Sequence, residues 1–414
     1  MIAPLRRYLR SLDPRLPRSV WILNAGALLN ALGTGIAYPF IVIYLHNVRG
    51  FSLGISGLIV AASGAAGIVF GPAIGIVIDR VGGRLTLAGA LTLQAIGWGS
   101  FPLVREPWHA VVAAAVAGIG NAGFWPSQSS LLAGLAVQTR RHGAFALQRV
   151  TRNLGIGLGG LAGGLIATTT DATSFTVLFV VDAITFLLFV GMLVLVPDPE
   201  IGAVSRDAPR GGYLEVLRNH VFLGFVGLNV VFVTAGYAQV ELLPVFAKNE
   251  AGVNERGIGL IFFLNTLVVV LAQLPVAKLL EGRSRMRSLA VMCALWATAW
   301  FVVLAGGAAV EAAAAVVAFS LAVTLFGLGE CFQGPVQGAL VADLAPAWLR
   351  GRYMAVSTNS WDLGFLLGPA IGGFVLAAEP LALWPLAAVG CLAAGAGCLA
   401  LESRLPPELR LTPA

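Results

Sequence analysis

Apolar residues run along this chain in long blocks broken by short polar segments, and the blocks are too long for strands and too uniform for one-sided surface helices. Each holds about 20 residues or more, the length a helix needs to cross a hydrocarbon core of roughly 30 Å. Read together with the Gly, Pro and charged breakers, the pattern predicts twelve spanning helices. They lie near 20–45, 53–78, 85–104, 108–137, 144–168 and 174–196, then near 219–247, 256–280, 288–308, 312–343, 352–378 and 382–401. The fold expected is an all-α membrane protein of two six-helix bundles. The one long polar stretch inside the chain, PDPEIGAVSRDAPRGGYLEVL, carries the Pro, Gly and charges of a linker. The organisation therefore reads as an N-terminal bundle over 1–196, a linker over 197–217 and a C-terminal bundle over 218–414.

Composition supports the membrane reading. Of 414 residues, 58% are hydrophobic and 11% charged, whereas soluble domains carry roughly a quarter charged residues. A net charge of +6 could mark a nucleic-acid surface, but the basic residues sit in short loops between apolar blocks. No nucleic-acid partner is expected; the lipid bilayer is. Lys and Arg are retained in cytoplasmic loops. Arg80, Arg84, Arg140, Arg141, Arg206, Arg210, Arg218, Lys278, Arg283, Arg285, Arg287, Arg350 and Arg352 fall on the side of the basic N-terminus. Arg49, Arg105, Lys248 and Arg256 fall on the other. Both termini are thus expected in the cytoplasm. The basic N-terminus resembles a secretory leader, but the apolar run at 20–45 is too long for one and lacks a convincing cleavage site. Cys293, Cys331, Cys391 and Cys398 all lie in apolar blocks, so neither a disulfide framework nor a metal site is expected.

The chain repeats itself. Gly118–Gly164 aligns without gaps onto Gly327–Gly373, and Gly118, Gly120, Pro126, Gln128, Leu131, Arg141, Leu154, Gly155, Gly159, Gly163 and Gly164 all recur. The offset covers six helices, an even number, so the two copies point the same way through the membrane. Parallel repeats of this kind relate the two halves of many transporters.

After the second span comes Gly75-Ile-Val-Ile-Asp79-Arg80-Val-Gly82-Gly83-Arg84. This is similar to the G-x-x-x-D-R-x-G-R-R signature of the major facilitator superfamily, which the chain resembles over nearly its whole length. Gly83 departs from the basic residue usual there, and a degenerate second copy runs from Pro275 to Arg287. The resemblance implies a secondary transporter working by alternating access, with no cofactor, in a bacterial inner membrane. It makes Gly75, Asp79, Arg80, Gly82 and Arg84 a cytoplasmic gate. Asp79 is poorly placed for its own helix macrodipole and would do better against a helix of the other half. Gly155, Gly159 and Gly163 in the fifth span, and Gly364, Gly368, Pro369 and Gly372 in the eleventh, look like the antiporter motif of drug:proton exporters. In that family the proline lies in the fifth span; here Gly160 holds its place. Physically, such glycines form a smooth face for close helix contact. The arginine that many proton-coupled relatives carry in the fourth span is replaced by Ala114.

Ionisable groups inside a bilayer are costly and mark cavities or pairs. Arg149, Arg152, Glu241, Glu330 and Asp362 are therefore the candidates for coupling. Arg152 and Asp362 lie at similar depth in opposite halves, so a contact between them is expected; Asp182, in the peripheral sixth span, suits a structural hydrogen bond. Glu330, Gln333 and Gln337 share one helix face and read as a cavity lining, opposite Asn121, Phe124 and Gln128. Asn30, Tyr38, Trp125, Tyr237 and Trp361 complete the candidate substrate cavity. No set of residues suits an enzyme. His46, His109, His142 and His220 all lie near span ends or loops, and the glycine runs lie inside apolar helices rather than after strands. The reading that follows is a monomeric, proton-coupled exporter of amphipathic, drug-like small molecules. The rivals are an uncoupled facilitator or lipid or metabolite carrier, and a receptor or scaffold that has lost turnover.

Overall fold

Helix starts fall where the polar breaks end. Ser52, Asp171, Asn219, Asn254 and Ser284 each accept a hydrogen bond from a backbone amide two or three residues further on, satisfying a donor that the first helical turn leaves open. The computed structural model describes residues 16–136, 141–197, 213–308, 311–346 and 349–412. Among the described residues, twelve long helices follow one another. They are α1 (Arg18–Ala37), α2 (Leu53–Val81), α3 (Gly83–Ser100), α4 (Pro107–Leu135), α5 (Arg141–Ile166) and α6 (Ala172–Leu193), then α7 (His220–Ala235), α8 (Glu255–Leu279), α9 (Arg285–Gly307), α10 (Ala312–Leu344), α11 (Arg350–Ala378) and α12 (Leu383–Glu402). The described end of the expected linker is also helical, over Tyr213–Leu217, while 198–212 lies outside the described residues. Among the described residues the only strand-like pairing is one isolated bridge, between Ser284 and Leu411.

Ten of these helices are long and apolar enough to cross a membrane. The other two are less apolar: α3 holds Arg84 and Gln94, and α5 holds Arg149 and Arg152. Gly83 of α3 meets Ser127 and Leu131 of α4, and Gly97 meets Ala117, so α3 runs antiparallel to α4.

Two helices are broken at equivalent places. Proline cannot donate to the preceding turn, and at Pro39 α1 passes into a 3-10 turn over Tyr38–Phe40 and a π turn over Tyr44–Val48. α7 breaks at Gly236 into a 3-10 turn over Tyr237–Glu241, then resumes over Leu243–Asn249. Discontinuous helices of this kind place polar groups beside a midplane cavity.

Glycine decides which helices touch. Gly155, Gly159 and Gly163 lie directly against the α1 backbone at Leu28, Leu32, Gly35 and Ile36, and Gly364, Gly368 and Gly372 lie against α7 at Val233, Ala238 and Gln239. A second stripe on each helix faces the opposite half. Gly157, Gly160 and Gly164 meet Thr266, Phe262 and Gly259 of α8, and Gly373 meets Gly57 of α2. Small residues give membrane helices this closeness, where dispersion rather than hydrophobicity holds them.

The α2–α11 contact opens from one end to the other. A β-carbon built on Gly57 would overlap the Pro369 carbonyl oxygen; on Gly64 it would lie 2.9 Å from Asp362 O, on Gly67 3.1 Å from Asp362 Oδ1 and on Gly71 4.0 Å from Asn359 Oδ1. At Gly75 nothing lies within 4 Å. The two helices therefore splay towards the side of the bundle where the C-terminal segment lies, called here the termini side. At the opposite, far side the halves are tied. Tyr38 donates to Glu241, Asn47 Nδ2 donates to Asn249 Oδ1 at 2.8 Å, and the Thr169 amide donates to Glu255 Oε1 at 3.0 Å. The halves are thus tied at the far side, while α2 and α11 stand apart at the termini side.

Candidate functional site: a central cavity closed at one end

Between the first six and last six helices lies a cavity of 420 Å³, within the range of sites that bind drug-sized molecules. Its charged lining consists of Arg152, Glu241, Glu330 and Asp362, and its walls include the rings of Tyr38, Trp98, Phe124, Trp125, Tyr237 and Phe326. Asn30 and Gln128, expected from sequence, line it too. Each has a buried polar atom without a partner, Asn30 Nδ2 and Gln128 Oε1, as does Gln94 through Nε2. Unpaired buried donors and acceptors are costly, and here they face a space that a ligand can fill.

The four charged groups come from different helices. Glu330 sits mid-length on α10, with Asn265 of α8 beside it and the Arg149 and Arg152 charges within electrostatic reach. Asp362 of α11 lies with its carboxyl against Gly67 of α2, where an added β-carbon would be 3.1 Å from Oδ1, closer than ordinary contact. Glu241 comes from the 3-10 turn that breaks α7 and takes the Tyr38 hydroxyl of α1.

Several expectations need correction. Arg152 does not pair with Asp362; its guanidinium stacks over Trp125 of α4, 4.2 Å from the ring centroid. Arg149 is not in the cavity wall but reaches across to α10, lying against Gly334. Gln333 and Gln337 do not line the cavity. Gln333 accepts the Tyr237 hydroxyl, and Gln337 donates to Asn229, which itself donates to Ser360 Oγ at 2.6 Å. The stripe on α10 thus turns from cavity at Glu330 to a buried network tying α10 to α7 and α11. Trp361 stands behind the wall, 4.9 Å from Tyr237 centroid to centroid. Asp182 is fully buried and neither carboxyl oxygen has a partner, so the hydrogen bond expected of it is not made.

At the gate sequence, Gly82 has φ +88°, a left-handed conformation that glycine adopts at no steric cost, and it turns the chain from α2 into α3. Arg84 donates to the Val196 carbonyl at 3.1 Å, joining α3 to the end of α6. Arg80 is exposed, and the Asp79 side chain lies outside the described residues.

Sequence reasoning missed Gln94, Gln148, Asn265 and Trp98 in the lining. Gln94, Gln148 and Asn265 carried a signal, being polar residues within apolar spans. Trp98 carried none, since a lone tryptophan in a span serves equally well in packing.

A polytopic helical bundle with a cavity between its halves, sealed at one side and open at the other, has the architecture of a secondary transporter. The family model described as Major Facilitator Superfamily matches residues 23–254 and 240–414, and the chain belongs to that family. It is 25% identical over 364 residues to YqjV, an uncharacterised MFS-type transporter of Bacillus subtilis, covering 86% of each chain. It is 26% identical over 356 residues to the multidrug resistance protein MdtH of Cronobacter sakazakii, covering 84% of each. Among solved structures it superposes on a POT family transporter in complex with a thioalcohol-conjugated peptide. The TM-score is 0.78 at 13% identity, over 94% of this chain and 96% of that one.

Proposed function

We propose that this transporter exports amphipathic, drug-like small molecules against inward proton movement, by rocking of the bundles 1–196 and 218–414 about the central cavity. The observation that carries this reading is the lining: three carboxyl groups and one guanidinium in a cavity otherwise walled by aromatic and aliphatic side chains. Apolar walls with few polar groups suit cargo that is partly apolar, and intramembrane carboxyls are the groups that relay protons in transporters. The multidrug name of the MdtH relatives points the same way. With the arginine-rich loops in the cytoplasm, the open side faces the cytoplasm, where an exporter loads. The protein would work as a monomer.

Proteoliposomes with an acidic lumen test this directly. They should accumulate an amphipathic dye above its equilibrium level, and a protonophore should abolish the excess. Equal uptake with and without the gradient would make the protein an uncoupled facilitator; no movement of any amphipath would make it a receptor or scaffold.

The gate signature supplies a second test. In the open-sided state described above, α2 and α11 are apart at Gly75, so a latch through Asp79 would form only when that side closes. Asp79→Asn should retain cargo binding and slow turnover several-fold. Disulfide yield between cysteines placed at the termini-side ends of α2 and α11 should fall in this variant. An unchanged yield would leave Asp79 as a helix terminator.

A further inference from the structure

The closed end of the cavity holds the third of its carboxyl groups, that of Glu241. Glu241 is 8% exposed. One carboxyl oxygen accepts the Tyr38 hydroxyl, while the other, Oε2, is buried without a partner. Of the basic side chains on that side, Arg105 and Arg256 are exposed and do not line the cavity, and the other two are committed. Lys248 pairs with Glu255 at 2.8 Å, and Arg49 donates through Nε to Tyr44 at 2.6 Å. Arg152 is stacked on Trp125, and its charge reaches Tyr237 of the same break and Glu330 but is not among the influences on Glu241.

What lines this end instead is aromatic. Tyr38 meets Trp98 edge-on at 5.8 Å, Trp98 packs on Phe101 at 5.4 Å, and Trp300 packs on Phe326 at 5.4 Å. All five rings line the cavity. A buried carboxyl oxygen lacking a donor, among aromatic faces and without a cation of the protein's own, is complementary to an organic cation. Ring faces attract such a cation by about 0.5–2 kcal/mol each, and the carboxylate supplies the countercharge.

The same carboxyl also forms the deepest tie between the two halves. Tyr38 belongs to the break in α1 and Glu241 to the break in α7, so the bond exists only while the far side is closed. A ligand shifts a conformational equilibrium only through unequal affinity for the two states. Cargo reaching Oε2 from the cavity enters between α1 and α7 and competes with Tyr38 for the carboxyl.

Resting on the proposal that the cavity carries amphipaths, we infer that Glu241 anchors an organic-cation subsite and that an occupying cation displaces Tyr38, releasing the far-side closure. The subsite takes a quaternary ammonium, a phosphonium or another delocalised monocation.

The full chain in nanodiscs tests this with two probes, tetraphenylphosphonium and neutral triphenylphosphine oxide. The first carries a permanent charge and no titratable proton. The parent should bind the cation about tenfold more tightly, and Glu241→Gln, which preserves side-chain size, should bring that ratio near one. In a second measurement, cysteines replace Asn47 and Asn249, whose side chains meet at 2.8 Å across the far side. Tetraphenylphosphonium should slow their crosslinking in the parent background and leave it unchanged when Glu241→Gln is added; Tyr38→Phe alone should slow it without any ligand. A cation preference retained by Glu241→Gln would overturn the subsite. Crosslinking that ignores the cation in the parent would overturn the coupling to the gate. If neither probe binds at all, the amphipath reading itself fails, and this inference with it.

Discussion

Leucine at Gly159 should prevent the chain from accumulating as a folded protein. A β-carbon at that position overlaps the Leu32 carbonyl oxygen and lies 2.9 Å from Gly35 Cα and 2.9 Å from Ile36 N. All three are backbone atoms of α1, so no rotamer change can relieve the overlap and the whole helix must move. The cost should reach or exceed about 3 kcal/mol, the top of the usual overpacking range. Gly368→Leu should be comparably damaging. The proline that follows Gly368 suggests from sequence that this site is the less forgiving of the two. Its neighbours are as rigid as those of Gly159, because an added β-carbon overlaps the Ala238 β-carbon, which is fixed to its backbone, and the backbone oxygen of Thr234 is 3.2 Å away. Gly191→Leu on α6, where nothing lies within 4 Å, is the control and should fold like the parent. Yield of monodisperse protein and its melting temperature in detergent check all three. Equal behaviour at Gly159 and Gly191 would contradict the close α1–α5 contact.

Removing the central carboxyls should abolish pH-driven transport while leaving an inserted, folded protein. Glu330→Gln and Asp362→Asn keep side-chain size and remove the charge and the ability to carry a proton. Glu330 lies between the halves, with Arg149 and Arg152 of α5 in electrostatic reach. Asp362 lies at the α2–α11 contact against Gly67. Rocking must change the surroundings of both, as a coupling group requires. Each single variant should reduce gradient-driven accumulation in proteoliposomes to the protonophore-treated background. Should both singles and the double variant accumulate cargo like the parent, the proton site lies elsewhere, with Glu241 next in line.

How much could be read before the structure depended on whether a signal was local. The twelve spans follow from apolar length, and the described helices match them to within several residues once the broken continuations of α1 and α7 are counted; even α3 and α5, the least apolar, were bounded by their flanking breaks. The glycine stripes were visible as four-residue spacing, but their partners were not, because spacing names a face and never says what it meets. Thus 155/159/163 was readable as a stripe, whereas the second stripe at 157, 160 and 164, facing α8 across the halves, was not. Site residues show the same limit. Glu330, Gln333 and Gln337 share a helix face by arithmetic, yet the wall curves away after Glu330 and the two glutamines go to Tyr237 and Asn229. Depth matching placed Arg152 level with Asp362, but an arginine with an indole in reach stacks on it instead, and only the structure brings Trp125 there. The Tyr38–Glu241 tie joins residues 203 positions apart. Each end of it was visible as a polar residue beside a proline, but the pairing was not.

The account's central claim is that the two ends of this molecule open in alternation. Distances between spin-label pairs in lipid test it most directly. One pair, at Val77 of α2 and Met354 of α11, reports the termini side; the other, at Asn47 and Asn249, reports the far side. Both Val77 and Met354 are exposed, and the Asn47–Asn249 side chains are in hydrogen-bond contact in the state described here. Without cargo, the first distance should be long and the second short. On adding a transported amphipath, a population should grow in which the first shortens as the second lengthens. Two distances that stay fixed, or that lengthen and shorten together, would contradict the account.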